Sequence, residues 1–166
     1  MNRRLYMIGG PMGVGKSTVS RILRDRLDNS VLLDGDWCWD MHPFRVTEAT
    51  KAMVLDNICC LLGNFLGCPE LQNVVFCWVL HEQAVIDGIL SRLAIDDVEL
   101  RCISLVCDED ELRSRLRRDV EAGLRDAGVI ERALERLPLY GGLSTTKLDV
   151  TGLTPEKTAQ LILEMH

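Results

Sequence analysis

The chain has 166 residues, which is the usual length of one domain and enough to bury a core without disulfides or metal ions. Hydrophobic residues make up 47% and charged residues 27%, a balance that excludes a largely disordered chain. The formal net charge of -6 argues against a protein whose main partner is nucleic acid, because phosphate-backbone binding depends on Lys and Arg. We expect a single domain over residues 1–166 and leave its oligomeric state open.

The N-terminal apolar run reaches Gly9 and Gly10 too soon for a signal peptide, and no apolar run approaches membrane-spanning length. Seven cysteines are present without a CxxC pair, and several lie inside apolar runs, as buried reduced thiols do. Together these features predict a cytoplasmic protein without a membrane partner.

Strand-like apolar runs alternate with helical stripes along the first half of the chain. Leu5 to Ile8 predicts a strand, Lys16 to Leu27 a helix, and Val31 to Leu33 a second strand. A long helix is predicted over Thr47 to Leu66, with Thr47 as its N-cap.

The same alternation continues in the second half. Val74 to Leu80 has the continuous apolar character of a central parallel strand, and a helix is predicted over Glu82 to Leu93. A strand near Leu100 to Cys107, a charged helical stretch, a weak strand at Lys147 to Val150 and a final helix that opens at Thr154 complete the pattern. It predicts an α/β fold, a three-layer αβα sandwich around a five-stranded parallel sheet.

The segment Gly10-Pro-Met-Gly-Val-Gly-Lys-Ser17 satisfies the P-loop pattern G-x-x-x-x-G-K-[ST] between a predicted strand and a predicted helix. Glycines let backbone N–H groups surround phosphate oxygens, and the helix N-terminus adds positive potential. Lys16 is expected to reach the β and γ phosphates, and Ser17 to ligate Mg²⁺. The alternative is a glycine-rich turn with an incidental Lys-Ser pair. The predicted nucleotide-binding residues here are Gly10, Gly13, Val14, Gly15, Lys16, Ser17 and Thr18.

Two other classes of P-loop protein fit the sequence less well. A GTPase needs an Asn-Lys-x-Asp element, and the chain contains no Asn-Lys pair. A large ATPase motor needs more chain and an acidic residue that closes the third strand, where Glu82 is the one candidate.

Two further motifs lie in the order found in small P-loop kinases. Asp34-Gly-Asp36 follows the second predicted strand, and Arg136-Leu-Pro-Leu-Tyr140 precedes the last one. With these motifs the chain resembles the shikimate kinase and gluconate kinase group, whose relatives include chloramphenicol phosphotransferase-like and zeta-toxin-like phosphotransferases. The resemblance implies ATP and Mg²⁺ as cofactors and a substrate-binding role for Arg136.

The two aspartates follow a strand of a parallel sheet, where ligands bind beyond the carboxyl ends of strands. The resemblance implies that Asp34 holds Mg²⁺ through water. Asp36 is placed to accept a hydrogen bond from the substrate hydroxyl and to act as base or orienter. The alternative is an Asp-Gly turn with solvated carboxylates.

The segment from Asp108 to Arg136 is rich in arginines, most of which are expected on a solvated helix face with ion pairs. By resemblance, Arg115 stacks on adenine, and Leu153 to Pro155 add adenine contacts. Arg125 falls in a candidate lid at about 117–130, where a cation would stabilise the transferring phosphoryl group.

The sequence departs from shikimate kinases at the end of the third strand, where Trp78-Val-Leu-His-Glu82 replaces a glycine run and disfavours shikimate itself. The segment Trp37 to Arg45 combines aromatic and basic residues, so Arg45 is a candidate for binding an anionic substrate group. Its alternative is a surface loop folded onto the core. His81 is a candidate proton shuttle or hydrogen-bond donor, or a structural strand-end residue.

The sequence as a whole predicts a kinase that transfers phosphate from ATP, with Mg²⁺, to a hydroxyl of a small molecule. Lys16, Asp36 and Arg125 are the predicted catalytic residues. A nucleoside or nucleotide kinase, with Trp37, Trp39 and Phe44 stacking on a base, is the first alternative. A nucleotide-binding regulatory or toxin-like protein is the second.

Overall fold

A computed structural model describes residues 3–165 and contains one five-stranded sheet. All strand pairs are parallel, and the order across the sheet is β2-β3-β1-β4-β5. The predicted α/β class and strand number are therefore confirmed. The strands are β1 (Arg3–Gly9), β2 (Ser30–Asp34), β3 (Asn73–Cys77), β4 (Val98–Val106) and β5 (Thr146–Asp149).

Within residues 3–165, six α-helices connect or follow the strands, and several begin after residue types that cap helices. Thr47, Asp108 and Thr154 each accept a hydrogen bond from a backbone N–H in the first turn of their helix. The helices are α1 (Lys16–Arg26), α2 (Glu48–Gly67), α3 (Gln83–Leu90), α4 (Glu109–Glu121), α5 (Val129–Arg136) and α6 (Pro155–Glu164), with 3₁₀ turns at Gly35–Trp39 and Leu137–Gly142.

The sheet separates two apolar cores, because successive side chains of a strand point to opposite faces. On β1, Tyr6 and Ile8 join the core that packs against α1, α4, α5 and α6. Leu5 and Met7 join the core that packs against α2, α3 and the second 3₁₀ turn. This arrangement is the predicted three-layer sandwich.

The third strand is shorter than the apolar run predicts. It was expected to reach Leu80, but β3 ends at Cys77. Leu80 has a φ of 39°, in the left-handed region, so the chain leaves the extended conformation. The Trp78 N–H still donates to the Ile8 carbonyl, and the Val79 carbonyl accepts from the Gly10 N–H. The residues after β3 thus fold over the start of the P-loop.

Helix α2 is long and apolar enough, by length and composition, to cross a membrane, with a mean hydropathy of 1.2. This differs from the expectation that no segment approaches that length. One stripe of α2 lies in the core beneath the sheet, with Val54, Ile58 and Leu62 fully buried. A helix that packs on its own domain in this way is weak evidence for a membrane span.

The charged stretch forms α4 and α5, whose inward faces pack through Leu112, Leu116, Val129 and Ala133. The candidate lid at 117–130 therefore comprises the end of α4, the connecting residues and the start of α5.

Candidate functional site

The P-loop connects β1 to α1 in a backbone conformation that requires glycine. Gly13 has a φ of 81°, and a Cβ added there would lie 2.6 Å from the Leu116 side chain. A Cβ at Gly10 would lie 2.7 Å from the Leu105 carbonyl oxygen. The loop is therefore wedged between β4 and α4, and any side chain at these two positions would displace it.

Lys16 lies in the cleft formed by this loop. Its Nζ donates to the Pro11 carbonyl at 2.9 Å. Desolvation lowers the pKa of the ammonium from 10.5 to about 8, although the carboxylate of Asp36 opposes the shift. A half-buried cation whose hydrogen bond goes to a carbonyl is well suited to an anion such as a phosphate group.

Ser17 and Asp34 join the start of α1 to the end of β2. The Ser17 hydroxyl donates to Asp34 Oδ2 at 2.7 Å, and Asp34 Oδ1 accepts from the Asp36 N–H at 3.0 Å. No group of three or more His, Cys, Asp or Glu able to hold a metal occurs within residues 3–165. A hydroxyl and a buried carboxylate in contact are nevertheless the hard oxygen donors that Mg²⁺ takes beside phosphate and water.

Asp36 stands at the mouth of the same cleft, at the start of the 3₁₀ turn. Desolvation raises the pKa of its carboxyl group, and the charge of Asp34 raises it further. Lys16, Arg125 and a side-chain hydrogen bond from Trp78 act in the opposite direction. The carboxylate therefore lies within electrostatic reach of the predicted phosphate-binding lysine.

Arg115 ties α4 to the P-loop. Its Nη1 donates to the Val14 carbonyl at 3.0 Å, and its Nη2 donates to the Val150 carbonyl at 3.4 Å. Glu111, one turn earlier, accepts from Nε and Nη2 at 2.9 and 2.7 Å. Arg115 lies beside the segment that holds Leu153 to Pro155, but most of its donors are already engaged. Its predicted adenine stacking stays a prediction.

Arg125 reaches the cleft from the segment between α4 and α5. Its Nε donates to Asp119 Oδ2 at 3.0 Å, and its charge lowers the pKa values of both Lys16 and Asp36. The cleft has a volume of about 400 Å³. It is lined by Met12, Gly13, Gly15, Lys16, Ser17, Thr18, Asp34, Asp36, Arg115, Arg118, Asp119 and Arg125.

A second cavity, of about 170 Å³, is lined by Trp39 and Trp78, and we call it the Trp39–Trp78 cavity. His81 lines it, with Nε2 3.2 Å from Glu82 Oε1 and a buried Nδ1 that has no partner among the described residues. Desolvation lowers the pKa of His81, and the charge of Arg136 lowers it further. The full lining is Trp39, Lys51, Leu55, Trp78, Val79, Leu80, His81, Glu82 and Val85.

The Arg136-Leu-Pro-Leu-Tyr140 element anchors the segment after β3. Tyr140 is fully buried, and its hydroxyl donates to the Val79 carbonyl at 2.6 Å. Arg136 is half-buried and close enough to His81 to affect its pKa, but it lines neither cavity. Its predicted contact with substrate stays a prediction.

Several other predicted residues lie away from the two cavities. Arg45 is exposed and lines neither of them. Trp37 and Phe44 are 52% and 65% exposed. Trp39 alone of the aromatic insert lines a cavity, with its ring 5.8 Å from that of Phe44. Gly10 and the side chain of Val14 are buried, so they shape the loop instead of lining the cleft.

Trp78, Arg118 and Asp119 have no role predicted from the sequence, although all three border these spaces. Trp78 follows β3, and its position after a central parallel strand was a usable signal. Arg118 and Asp119 lie in a run of many charged residues of both signs. The sequence does not show which of these side chains face the P-loop, whereas the helix geometry does.

The fold and the cleft define a P-loop protein of the small kinase type. The chain belongs to the family described as AAA domain, whose model matches residues 7–132. It is 28% identical to a shikimate kinase of Thermobifida fusca over 170 residues, covering 97% of this chain and 94% of that protein.

Solved structures share the fold at lower identity. The tunicamycin resistance protein of Deinococcus radiodurans is 20% identical with a TM-score of 0.70, over 97% of this chain and 94% of that one. A gluconokinase from Sinorhizobium meliloti is 17% identical with a TM-score of 0.67, over 98% of both chains.

Proposed function

We propose that this protein is an ATP-dependent, Mg²⁺-assisted kinase that phosphorylates a hydroxyl group of a small molecule. The observation that carries the proposal is the convergence of Lys16, the Ser17–Asp34 pair and Asp36 on one cleft. Similarity to a shikimate kinase and to a gluconokinase fold supports the same reaction class. We expect one cytoplasmic domain.

The donor half of the site follows from the P-loop. Backbone N–H groups of Gly13 to Ser17 and the Lys16 ammonium would bind the β and γ phosphates. Ser17 and Asp34 would hold Mg²⁺, which supplies charge neutralisation on the phosphate oxygens. The adenine would lie between Arg115 and the segment 153–155.

The acceptor half centres on Asp36. The acceptor hydroxyl gives its proton to the Asp36 carboxylate while its oxygen forms a bond to the γ-phosphorus. The bond between that phosphorus and the β–γ bridging oxygen breaks, and ADP leaves with the electron pair. Arg125 would stabilise the charge on the transferred group when the lid closes.

An acceptor screen tests this proposal. ADP release is measured with ATP, Mg²⁺ and sugars, sugar acids, ring alcohols and nucleosides, for the wild type and for Asp36→Asn and Lys16→Met. We expect ATP to raise the Tm of the wild type and of Asp36→Asn but not of Lys16→Met, and only the wild type to turn over. If no acceptor raises ADP release above the background hydrolysis rate, the regulatory or toxin-like alternative replaces the kinase.

A further inference from the structure

The Trp39–Trp78 cavity neighbours the phosphate-binding cleft through Trp78. Trp78 lines the cavity and lies close enough to Asp36, which lines the cleft, to lower the pKa of its carboxyl group. A Cβ on Gly35 would lie 2.5 Å from the Trp78 indole, so the ring packs against this glycine. The indole therefore borders both the cavity and the candidate base.

The 3₁₀ turn at Gly35–Trp39 also connects the cleft to the cavity. Residues three apart in such a turn lie on the same side, and Asp36 and Trp39 are three apart within Gly35–Trp39. Asp36 faces the cleft, and Trp39 lines the cavity. A molecule whose hydroxyl contacts Asp36 can therefore place its remaining atoms near Trp39.

The cavity wall is mainly apolar, with Leu55, Leu80 and Val85 beside the two indoles. Its charged groups have partners already, although the buried Nδ1 of His81 has none among the described residues. Lys51 Nζ is 3.0 Å from Glu48 Oε1, and His81 Nε2 is 3.2 Å from Glu82 Oε1. Such a wall favours an uncharged apolar body, because a carboxylate placed here would lose its hydration without gaining an unpaired cation.

The volume limits the size of that body. The cavity measures about 170 Å³, slightly more than the cavity of about 150 Å³ that accepts one benzene molecule in an engineered apolar core. One six-membered ring fits, whereas a ring that carries several hydrated hydroxyl groups would leave them without partners.

We propose that the acceptor is an alcohol with a single uncharged apolar ring, which occupies the Trp39–Trp78 cavity and presents its hydroxyl to Asp36. The proposal rests on the kinase function proposed above and names the substrate class for that site. It sets this chain apart from enzymes that phosphorylate polyhydroxylated carboxylic acids. The ring would stack against indole faces, a geometry that aromatic rings favour.

Tryptophan fluorescence gives a test that does not depend on turnover, because two of the three tryptophans line the cavity. We expect para-nitrobenzyl alcohol to quench the emission saturably, and gluconate to leave it unchanged. Leu55→Phe fills the cavity and should weaken this binding at least tenfold. Met53→Phe, on the exposed face of the same helix, is the matched control and should bind as the wild type does.

Steady-state kinetics tests the same class by turnover. The kcat/KM for benzyl alcohol should exceed those for gluconate, shikimate and adenosine at least tenfold. Leu55→Phe should raise the KM for benzyl alcohol at least tenfold and leave the KM for ATP unchanged. A thermal melt of each variant establishes that it is folded.

The outcomes separate the two proposals. Preference for gluconate, shikimate or adenosine, or equal kinetics in Leu55→Phe and Met53→Phe, would overturn the ring-alcohol class and leave the kinase standing. If the quenching is saturable and weakened in Leu55→Phe, but no alcohol is phosphorylated, the result would support the cavity as a ring-binding site. It would contradict the proposed kinase function.

Discussion

The Ser17 hydroxyl donates to Asp34 Oδ2 at 2.7 Å and so connects the first residues of α1 to the end of β2. Two oxygens from neighbouring elements are thereby held together beside the predicted γ-phosphate position. Asp34 also accepts from the Asp36 N–H, so it positions the candidate base.

Replacing Asp34 by Asn should weaken Mg²⁺ binding in the ATP complex, because a neutral amide supplies less attraction to the cation. We expect the Mg²⁺ concentration for half-maximal ADP release to rise by about 10- to 100-fold, the usual cost of altering a group around a metal. The measurement is a Mg²⁺ titration at saturating ATP. An unchanged midpoint of the titration would show that Asp34 does not hold the metal ion.

Lys16→Met should stabilise the free protein while abolishing its response to ATP. A pKa lowered from 10.5 to about 8 corresponds to a cost of up to about 3 kcal/mol for keeping the ammonium charged. The full cost applies below pH 8, where Lys16 is charged in both the folded and the unfolded chain. It disappears as the pH rises to 10.5, because the lysine then loses its proton in the unfolded chain as well. Chemical denaturation at pH 7 should show a gain of about 1–3 kcal/mol. A loss of stability would contradict the account.

Asp36→Asn should raise the Tm of the free protein at pH 8 but not at pH 4. Because the pKa of Asp36 is raised in the folded state, ionisation at neutral pH costs stability that protonation restores as pH falls. We expect an increase of about 1–3 °C at pH 8, small because the residue is exposed to screening solvent. Equal Tm differences at both pH values would mean that charge is not the cause.

Arg115→Met should loosen the P-loop, since three acceptors lose their cationic donor. We expect the KM for ATP to rise by about tenfold, equivalent to about 1.4 kcal/mol. Arg113→Met, on the same helix but away from the cleft lining, is the control and should leave it unchanged. If both variants behave alike, the contact with Val14 does not position the nucleotide site.

The sequence predicted the sheet and the donor half of the cleft because both depend on local patterns. The P-loop glycines and the apolar runs of β1 and β3 lie within short segments whose physical requirements are direct. The end of β3 was misjudged because the left-handed conformation of Leu80 depends on packing over Gly9, which composition does not reveal.

The acceptor half depends on long-range contacts and was predicted less well. Trp78 becomes informative only once it packs on Gly35 and meets Asp36, forty-two positions earlier in the chain. Arg45 looked suitable as an anion ligand by residue type, yet it lies outside the lining of both cavities.

Phosphorus NMR of reactions with ATP, Mg²⁺ and one alcohol acceptor at a time shows whether the protein transfers phosphate to a hydroxyl group. We expect a new phosphate monoester resonance and a stoichiometric ADP signal with wild-type protein, and neither signal above background with Asp36→Asn. Inorganic phosphate as the only product across all acceptors, or undiminished monoester formation by Asp36→Asn, would contradict this expectation.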